Sequence, residues 1–157
     1  MTIDVRAARA DDVDALTRLR VSMFEAMGDA HVRDAAWQAA ARQWFIAHVD
    51  DPDVALRVVE VDGEIVAGAV CHVRKHLPAP GNVSGRLATI SNVSTFAEHR
   101  GHGYGRLAFE AVLAWAQDSS NAEVADLFAT GMGQGMYAEA GFSVHPMPAM
   151  RLPLRPS

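Results

Sequence analysis

Cysteine is almost absent from this sequence, which has 157 residues and one thiol, Cys71, so that no disulfide can form within the chain. A lone thiol is typical of reducing compartments, and we expect a cytoplasmic location. Apolar runs of the roughly 20 residues that a membrane-spanning helix needs are also missing. The opening residues, Met-Thr-Ile-Asp-Val-Arg, lack the apolar core of a secretory signal. These absences predict a protein without a membrane partner.

Positive charge is scarce as well. The chain has 14 Lys and Arg against 19 Asp and Glu, a formal net charge of -5 and a pI near 5.7. This balance argues against a nucleic-acid partner or an anionic membrane surface, and it is compatible with a cationic or amine substrate. Because no repeat, low-complexity tract or composition shift divides the chain, and because half of its residues are hydrophobic, we expect residues 1–157 to form a single domain.

Glycine is concentrated where a β-branched segment meets a predicted helix that begins near Gly103. Gly101, Gly103 and Gly105 alternate there, although glycine in a helix costs about 1 kcal/mol relative to alanine. Bare backbone offers the N–H groups of a first helical turn, which have no partner within the helix and no side chain to cover them. Together with the helix dipole and the flanking Arg100 and Arg106, these N–H groups predict a phosphate site.

The common nucleotide fingerprints do not fit this glycine segment. In the dinucleotide motif G-x-G-x-x-G the third glycine would fall on Arg106, and no Gly-Lys-Ser/Thr string of a triphosphate loop exists. The pattern Arg-x-x-Gly-x-Gly, formed by Arg100, Gly103 and Gly105, resembles the pyrophosphate loop of the GNAT N-acetyltransferase superfamily, which binds acetyl-coenzyme A. A tight strand–helix corner that binds nothing would also account for the glycines.

A second motif, Tyr137-Ala-Glu-Ala-Gly141-Phe142, lies about thirty residues downstream. Its pattern predicts a short helix that ends at Gly141 and is followed by a strand from Phe142. The sequence Tyr-x-x-x-Gly-Phe is similar to the C-terminal signature of the same superfamily. The resemblance implies that Tyr137 is catalytic and protonates the departing thiolate, whereas by itself the pattern would fit a packed core aromatic.

Hydrophobic periodicity and turn signals predict the element order β-α-α-β-β-β-α-β-α-β. The resemblance implies an α/β (α+β) fold with a mixed, mainly antiparallel sheet that has helices on both faces. It also implies that the strands around residues 89–95 and 124–130 splay apart and admit the pantetheine arm. The Trp, Phe and Met stripes of the helices, such as Trp37, Trp44 and Met23, are expected to be core.

The resemblance extends to individual cofactor contacts, in which strand backbone pairs with the pantetheine and loop N–H groups hold the pyrophosphate. The expected cofactor-binding residues are Val93, Ser94, Thr95, Arg100, Gly101, His102, Gly103, Tyr104, Gly105 and Arg106. The histidines show no metal-ligand spacing, and we expect no metal.

The resemblance implies an N-acetyltransferase that transfers an acetyl group from acetyl-coenzyme A to a primary amine of a small molecule or peptide. A non-catalytic acyl-coenzyme A-binding or regulatory module, and a structural subunit, stay open as alternatives. An amine attacks only as the neutral base, so a proton acceptor is needed. The candidates by residue type are Glu25, Asp29, Glu60, His72 and Glu98, with Ser91 or Asn92 able to position a water. The sequence leaves the base, the acceptor and a homodimer undecided.

Overall fold

The fold is built on one five-stranded sheet, seen in a computed structural model that describes residues 1–155. The strands are β1 (Ile3–Ala7), β2 (Val54–Val61), β3 (Glu64–Lys75), β4 (Arg86–Thr95) and β5 (Val124–Leu127), and they lie side by side in chain order. The first four pair antiparallel, and β5 joins β4 in parallel. The predicted mixed, mainly antiparallel sheet is therefore confirmed.

Four helices cover the two faces of this sheet: α1 (Val13–Ala26), α2 (Ala35–His48), α3 (Tyr104–Ser119) and α4 (Gln134–Glu139). On the α1–α2 face, Leu16 and Phe45 pack against Val58 of β2. On the α3–α4 face, Phe109 packs in a second core with Val59. Successive side chains of β2 point to opposite faces of the sheet, so this strand contributes to both cores. None of the helices within residues 1–155 combines the length and apolar character that crossing a membrane requires.

The sheet opens between β4 and β5. The two strands pair only from Leu87–Val124 to Ile90–Leu127, so residues 91–95 have no partner on β5. At the same place β4 changes register against β3 and Asn92 takes a left-handed φ of 55°. This bulge turns β4 away from its neighbour. The splay expected from the resemblance is present, and the strand expected over residues 124–130 ends at Leu127 because the chain leaves β4 there.

The final strand expected from Phe142 does not form, and this part of the predicted element order is wrong. Only four residues separate Gly141 from Pro146, and Pro148 and Pro153 follow. Because proline has no N–H to donate, it interrupts a ladder at each of these positions. Residues 142–155 therefore extend from α4 without a strand, with Met150 almost fully exposed.

Candidate functional site

The beginning of α3 presents a row of backbone donors. Gly101 and Gly103 have φ values of 83° and 81°, a left-handed conformation that favours glycine. Leu107 is the first residue whose N–H bonds within the helix, at 3.1 Å from the Gly103 carbonyl oxygen. In the part of the chain that the structure describes, the N–H groups of residues 101–106 have no backbone acceptor. The chain thus provides a cradle suited to an anion.

This cradle is attached to the end of β4. Nε of Arg100 donates to the Thr95 carbonyl oxygen at 3.2 Å. A Cβ added at Gly105 would lie 3.1 Å from Thr95 Oγ1, a tight contact that places residue 105 directly against the end of β4. The Ser94 hydroxyl donates to the Leu19 carbonyl oxygen of α1, and the Val93 side chain packs toward the α3 core. Residues 93–95 can therefore offer mainly backbone groups to a ligand in the gap.

The side chains of the remaining residues of the expected cofactor loop each contact another part of the protein. The His102 ring stacks on Tyr104 with ring centroids 5.5 Å apart, and its Nδ1 lies 3.0 Å from the His99 carbonyl oxygen. Tyr104 is buried, so only its backbone faces the loop. Arg106 forms an ion pair with Glu139 at 3.0 Å, which ties α3 to α4 and partly balances its charge.

Tyr137 lies on α4 and contacts the α3 core. Its ring meets Phe109 edge-on at 5.0 Å and lies so close to Gly133 that a Cβ there would come within 2.8 Å of Tyr137 Cε2. Burial raises the pKa of the Tyr137 phenol, so the hydroxyl keeps its proton at neutral pH. The geometry therefore holds a protonated phenol on the helix that Arg106 ties to the glycine loop.

A cavity of about 450 Å³ lies on the α1–α2 face, between the helices and strands β3 and β4. Ser91 and Asn92 contribute to its wall directly after the last β4–β5 pair, so the cavity borders the gap in the sheet. Trp37 and Trp44 of α2 line it, and Trp44 also packs against the core of this face, so the expectation from periodicity is incomplete: these side chains border a cavity as well. Periodicity tells which residues share a helix face, but it does not tell what lies opposite them.

His72 is the member of the base candidates that lines this cavity. Its ring lies 5.8 Å from Trp44 and 6.2 Å from His48, ring centroid to ring centroid. Burial, assisted by His48 and Arg74, lowers the pKa of His72 below its ordinary value, and the more weakly opposing charges of Asp51 and Asp53 do not reverse this. The imidazole is therefore neutral near pH 7 and can accept a proton.

The other base candidates lie elsewhere or are engaged. Glu60 bonds Arg6 at 2.8 Å and Glu25 pairs with Arg33 at 3.3 Å. Asp29 lines a neighbouring depression, and Glu98 lies in the short turn that precedes the glycine loop. Ser91 and Asn92, the two residues suggested to position a water, both lie in the cavity wall.

Sequence reasoning missed a polar chain beside the cavity and an arginine within it. Arg74 donates to Thr89 Oγ1 at 2.9 Å, and that hydroxyl donates to Asp126 of β5 at 2.6 Å. Arg20 of α1 lines the cavity and had no motif to mark it. Its signal was position, since it follows Leu16 by four residues and so shares the face that turns inward.

Cys71 lies in the core on the α3–α4 face of the sheet, fully buried. Burial, with a smaller contribution from Asp126, raises the pKa of its thiol to about 12. Such a thiol is not a nucleophile at neutral pH, because the thiolate is the reactive form. Within residues 1–155, no three His, Cys, Asp or Glu side chains converge as a metal-binding group.

The sequence profile of the acetyltransferase (GNAT) family matches residues 14–142, most of the chain. The chain belongs to the GNAT acetyltransferase family. The match includes the glycine loop, the splayed strands and Tyr137, and the family uses acetyl-coenzyme A as its donor. No curated protein sequence matches the chain.

Solved structures of GNAT proteins share the fold across nearly their whole length. A GCN5-related N-acetyltransferase from Ralstonia eutropha JMP134 is 26% identical, with a TM-score of 0.85 and coverage of 96% of this chain and 99% of that one. A predicted acetyltransferase from Clostridium acetobutylicum, solved with acetyl-coenzyme A, has a TM-score of 0.85 at 20% identity, covering 98% and 97%. Glucosamine-6-phosphate N-acetyltransferase from Arabidopsis thaliana has a TM-score of 0.69 at 17% identity, covering 97% and 99%. These likenesses establish the fold of the GNAT acetyltransferases.

Proposed function

We propose that this protein transfers an acetyl group from acetyl-coenzyme A to a primary amine of a small molecule or peptide, with residues 1–157 acting as one cytoplasmic domain. The observation that carries the proposal is the row of unpaired N–H groups at residues 101–106, next to the gap between β4 and β5. Six donors at a helix beginning suit a pyrophosphate, and the gap offers strand backbone to an extended arm.

The two proton-transfer groups lie on opposite faces of the sheet. His72 lines the cavity on the α1–α2 face, whereas Tyr137 packs on the α3–α4 face. In the proposed reaction, the nitrogen of the neutral amine attacks the thioester carbonyl, and neutral His72 takes the proton that this nitrogen loses during the attack. A C–N bond forms and the C–S bond breaks, and Tyr137 gives its proton to the leaving thiolate. Backbone N–H groups around Val93 stabilise the oxyanion.

Direct transfer to the amine fits these residues better than a covalent acetyl-enzyme. Cys71 is the chain's one thiol, and its raised pKa and full burial remove it as an acetyl carrier. A neutral imidazole in the cavity and a protonated phenol on α4 supply the proton acceptor and the proton donor that direct attack requires.

Two measurements test the proposal. Calorimetry should detect coenzyme A binding, and a screen of amines with thiol release as the readout should detect turnover. Coenzyme A binding without turnover of any amine, and with an affinity that does not change when His72 or Tyr137 is replaced, would favour the non-catalytic acyl-coenzyme A-binding module. Absence of coenzyme A binding would contradict both functions.

A further inference from the structure

The cavity on the α1–α2 face contains a cation, Arg20, that has no ion-pair partner among residues 1–155. We infer that the amine acceptor carries an anionic oxygen group, a carboxylate or a phosphate, which Arg20 binds. This inference rests on the acetyl transfer proposed above and names the acceptor's chemical class.

Arg20 is partly buried and engages little of its guanidinium. Nη1 donates to Asn92 Oδ1 at 3.3 Å, and the group lies 5.0 Å from the Phe24 ring centroid. Among the described residues, none of the ion pairs includes Arg20. Burial lowers its pKa, but arginine stays charged at neutral pH. A desolvated charge with spare donors is costly unless a ligand supplies acceptors.

The other polar side chains that line the cavity also favour an anion. Arg74 and His72 add basic groups, and the cavity wall contains no aspartate or glutamate within the residues described. Asn92 lines the cavity as well, and its Nδ2 is a buried donor without a partner. Arg74 is linked to Asp126 through Thr89, so its charge is partly matched, whereas that of Arg20 is not.

The absence of an acid from this wall also bears on the amine itself. Among residues 1–155, the cavity wall offers an ammonium group no carboxylate to pair with, so binding the amine by its positive charge is disfavoured. The acceptor is then recognised by the hydrogen-bond donors and by the apolar wall of the cavity. Trp37 and Trp44 provide that wall, and a cavity of about 450 Å³ suits a small molecule with an apolar body and an anionic end.

The test uses ligands that share a phenethyl body and differ in the polar end group and its charge. Binding of 3-phenylpropanoate, its amide, 2-phenylethylamine and phenethyl phosphate is followed by tryptophan fluorescence, since Trp37 and Trp44 line the cavity. We expect the carboxylate or the phosphate to bind at least about tenfold more tightly than the amide, as charge-assisted hydrogen bonds contribute strongly. Which of the two binds better identifies the anion.

Two variants test whether Arg20 causes the preference for the anion. Arg20→Gln should bring the anion and the amide within about twofold of each other, while Arg18→Gln, an exposed arginine on the same helix, should keep the wild-type preference. Unfolding curves confirm that both variants fold. Equal affinity for anion and amide, tighter binding of the amine, or an unchanged preference in Arg20→Gln would overturn the inference. Coenzyme A binding, measured separately by calorimetry, reports on the proposed function, so the two can fail independently.

Discussion

The two faces of the sheet use different chemical groups. On the α3–α4 face the candidate site consists of the backbone of residues 93–95 and 101–106, together with the Tyr137 phenol. On the α1–α2 face it consists of side chains from four elements, among them Arg20, Trp44, His72 and Asn92. A backbone site depends on local conformation, which a short motif can specify. A side-chain cavity depends on tertiary packing and leaves no contiguous motif.

The charge of the cavity lining also differs from the charge of the whole molecule. The formal net charge of -5 is compatible with a cationic substrate, but in the described part of the chain the cavity is lined by Arg20 and Arg74 and by no acid. Net charge sets the long-range field, whereas binding in a cavity depends on groups within a few ångströms. The acidic composition of this chain therefore does not describe its candidate acceptor site.

The largest expected effect concerns the α1–α2 face. Replacing His72 by Gln should lower kcat by about 10²–10⁴-fold, the range of a positioned acid–base group. In the wild type, kcat should fall as acidification protonates His72, at a pH below the ordinary histidine pKa of about 6.5, because the folded-state pKa is lowered. Thiol release across about pH 5–8 measures both.

His145→Gln serves as the control for His72, since it changes an exposed histidine near the C-terminal end. Its pH profile should match the wild type. An unchanged kcat in His72→Gln would show that His72 is not the proton acceptor. It would also contradict the proposed division of roles between the two faces.

The next effect concerns the glycine loop. Gly103→Asp should weaken coenzyme A binding by about 10²-fold or more, because the carboxylate would compete for the loop N–H groups and repel the phosphates. At the left-handed φ of 81° any side chain is strained, but Asp adopts this conformation more readily than most residues, and an added Cβ at Gly103 meets nothing within 4 Å. A β-branched residue would be strained there and would confuse affinity with stability.

Gly63→Asp is the matched control, since Gly63 has a φ of 85°, equally open space and a position in the β2–β3 turn. Calorimetry on both variants should show weakening only for Gly103→Asp. If both bound coenzyme A as the wild type does, the glycine loop would be only a tight corner.

A smaller effect is expected from Tyr137→Phe, which removes one hydroxyl and keeps the ring on Phe109. A thiol with an ordinary pKa of about 8.5 leaves fairly well unaided, so kcat should fall by about 10²-fold, the lower end for acid catalysis. Acetyl-coenzyme A affinity and melting temperature should hardly change. Full kcat with chemistry rate-limiting would leave Tyr137 as a packing residue of the α3–α4 face.

The smallest effect concerns how α1, which carries Arg20, is attached. Asp12 precedes α1 and bonds Arg6 at 2.7 and 3.1 Å, and its carboxylate also accepts the Arg9 N–H at 2.7 Å. Burial opposes ionisation, but these bonds outweigh it and hold the pKa of Asp12 below its ordinary value. Asp12→Asn should lower the free energy of unfolding by about 1–2 kcal/mol near neutral pH.

The pH dependence gives this prediction its sign. A depressed carboxyl pKa stabilises the fold above the unfolded value of about 3.9, and that stabilisation is lost as the pH falls through the folded-state pKa. The difference between wild type and Asp12→Asn in urea unfolding should therefore shrink toward about pH 3. The exposed pair of Asp14 and Arg42 offers the control, since Asp14→Asn should change stability little at either pH.

The sequence by itself determined the local features. Hydrophobic periodicity and the glycines at 101 and 103 act through backbone conformation, which neighbouring residues dictate, so most elements and the glycine loop followed from them. The strand expected from Phe142 failed because the prolines that follow it interrupt the ladder. Only the tertiary structure decided that Trp37 and Trp44 line a cavity, that His72 alone of the base candidates lines it, and that Arg20 lies there without an ion-pair partner among residues 1–155. These facts depend on which elements α1 and α2 cover, and long-range packing sets that arrangement.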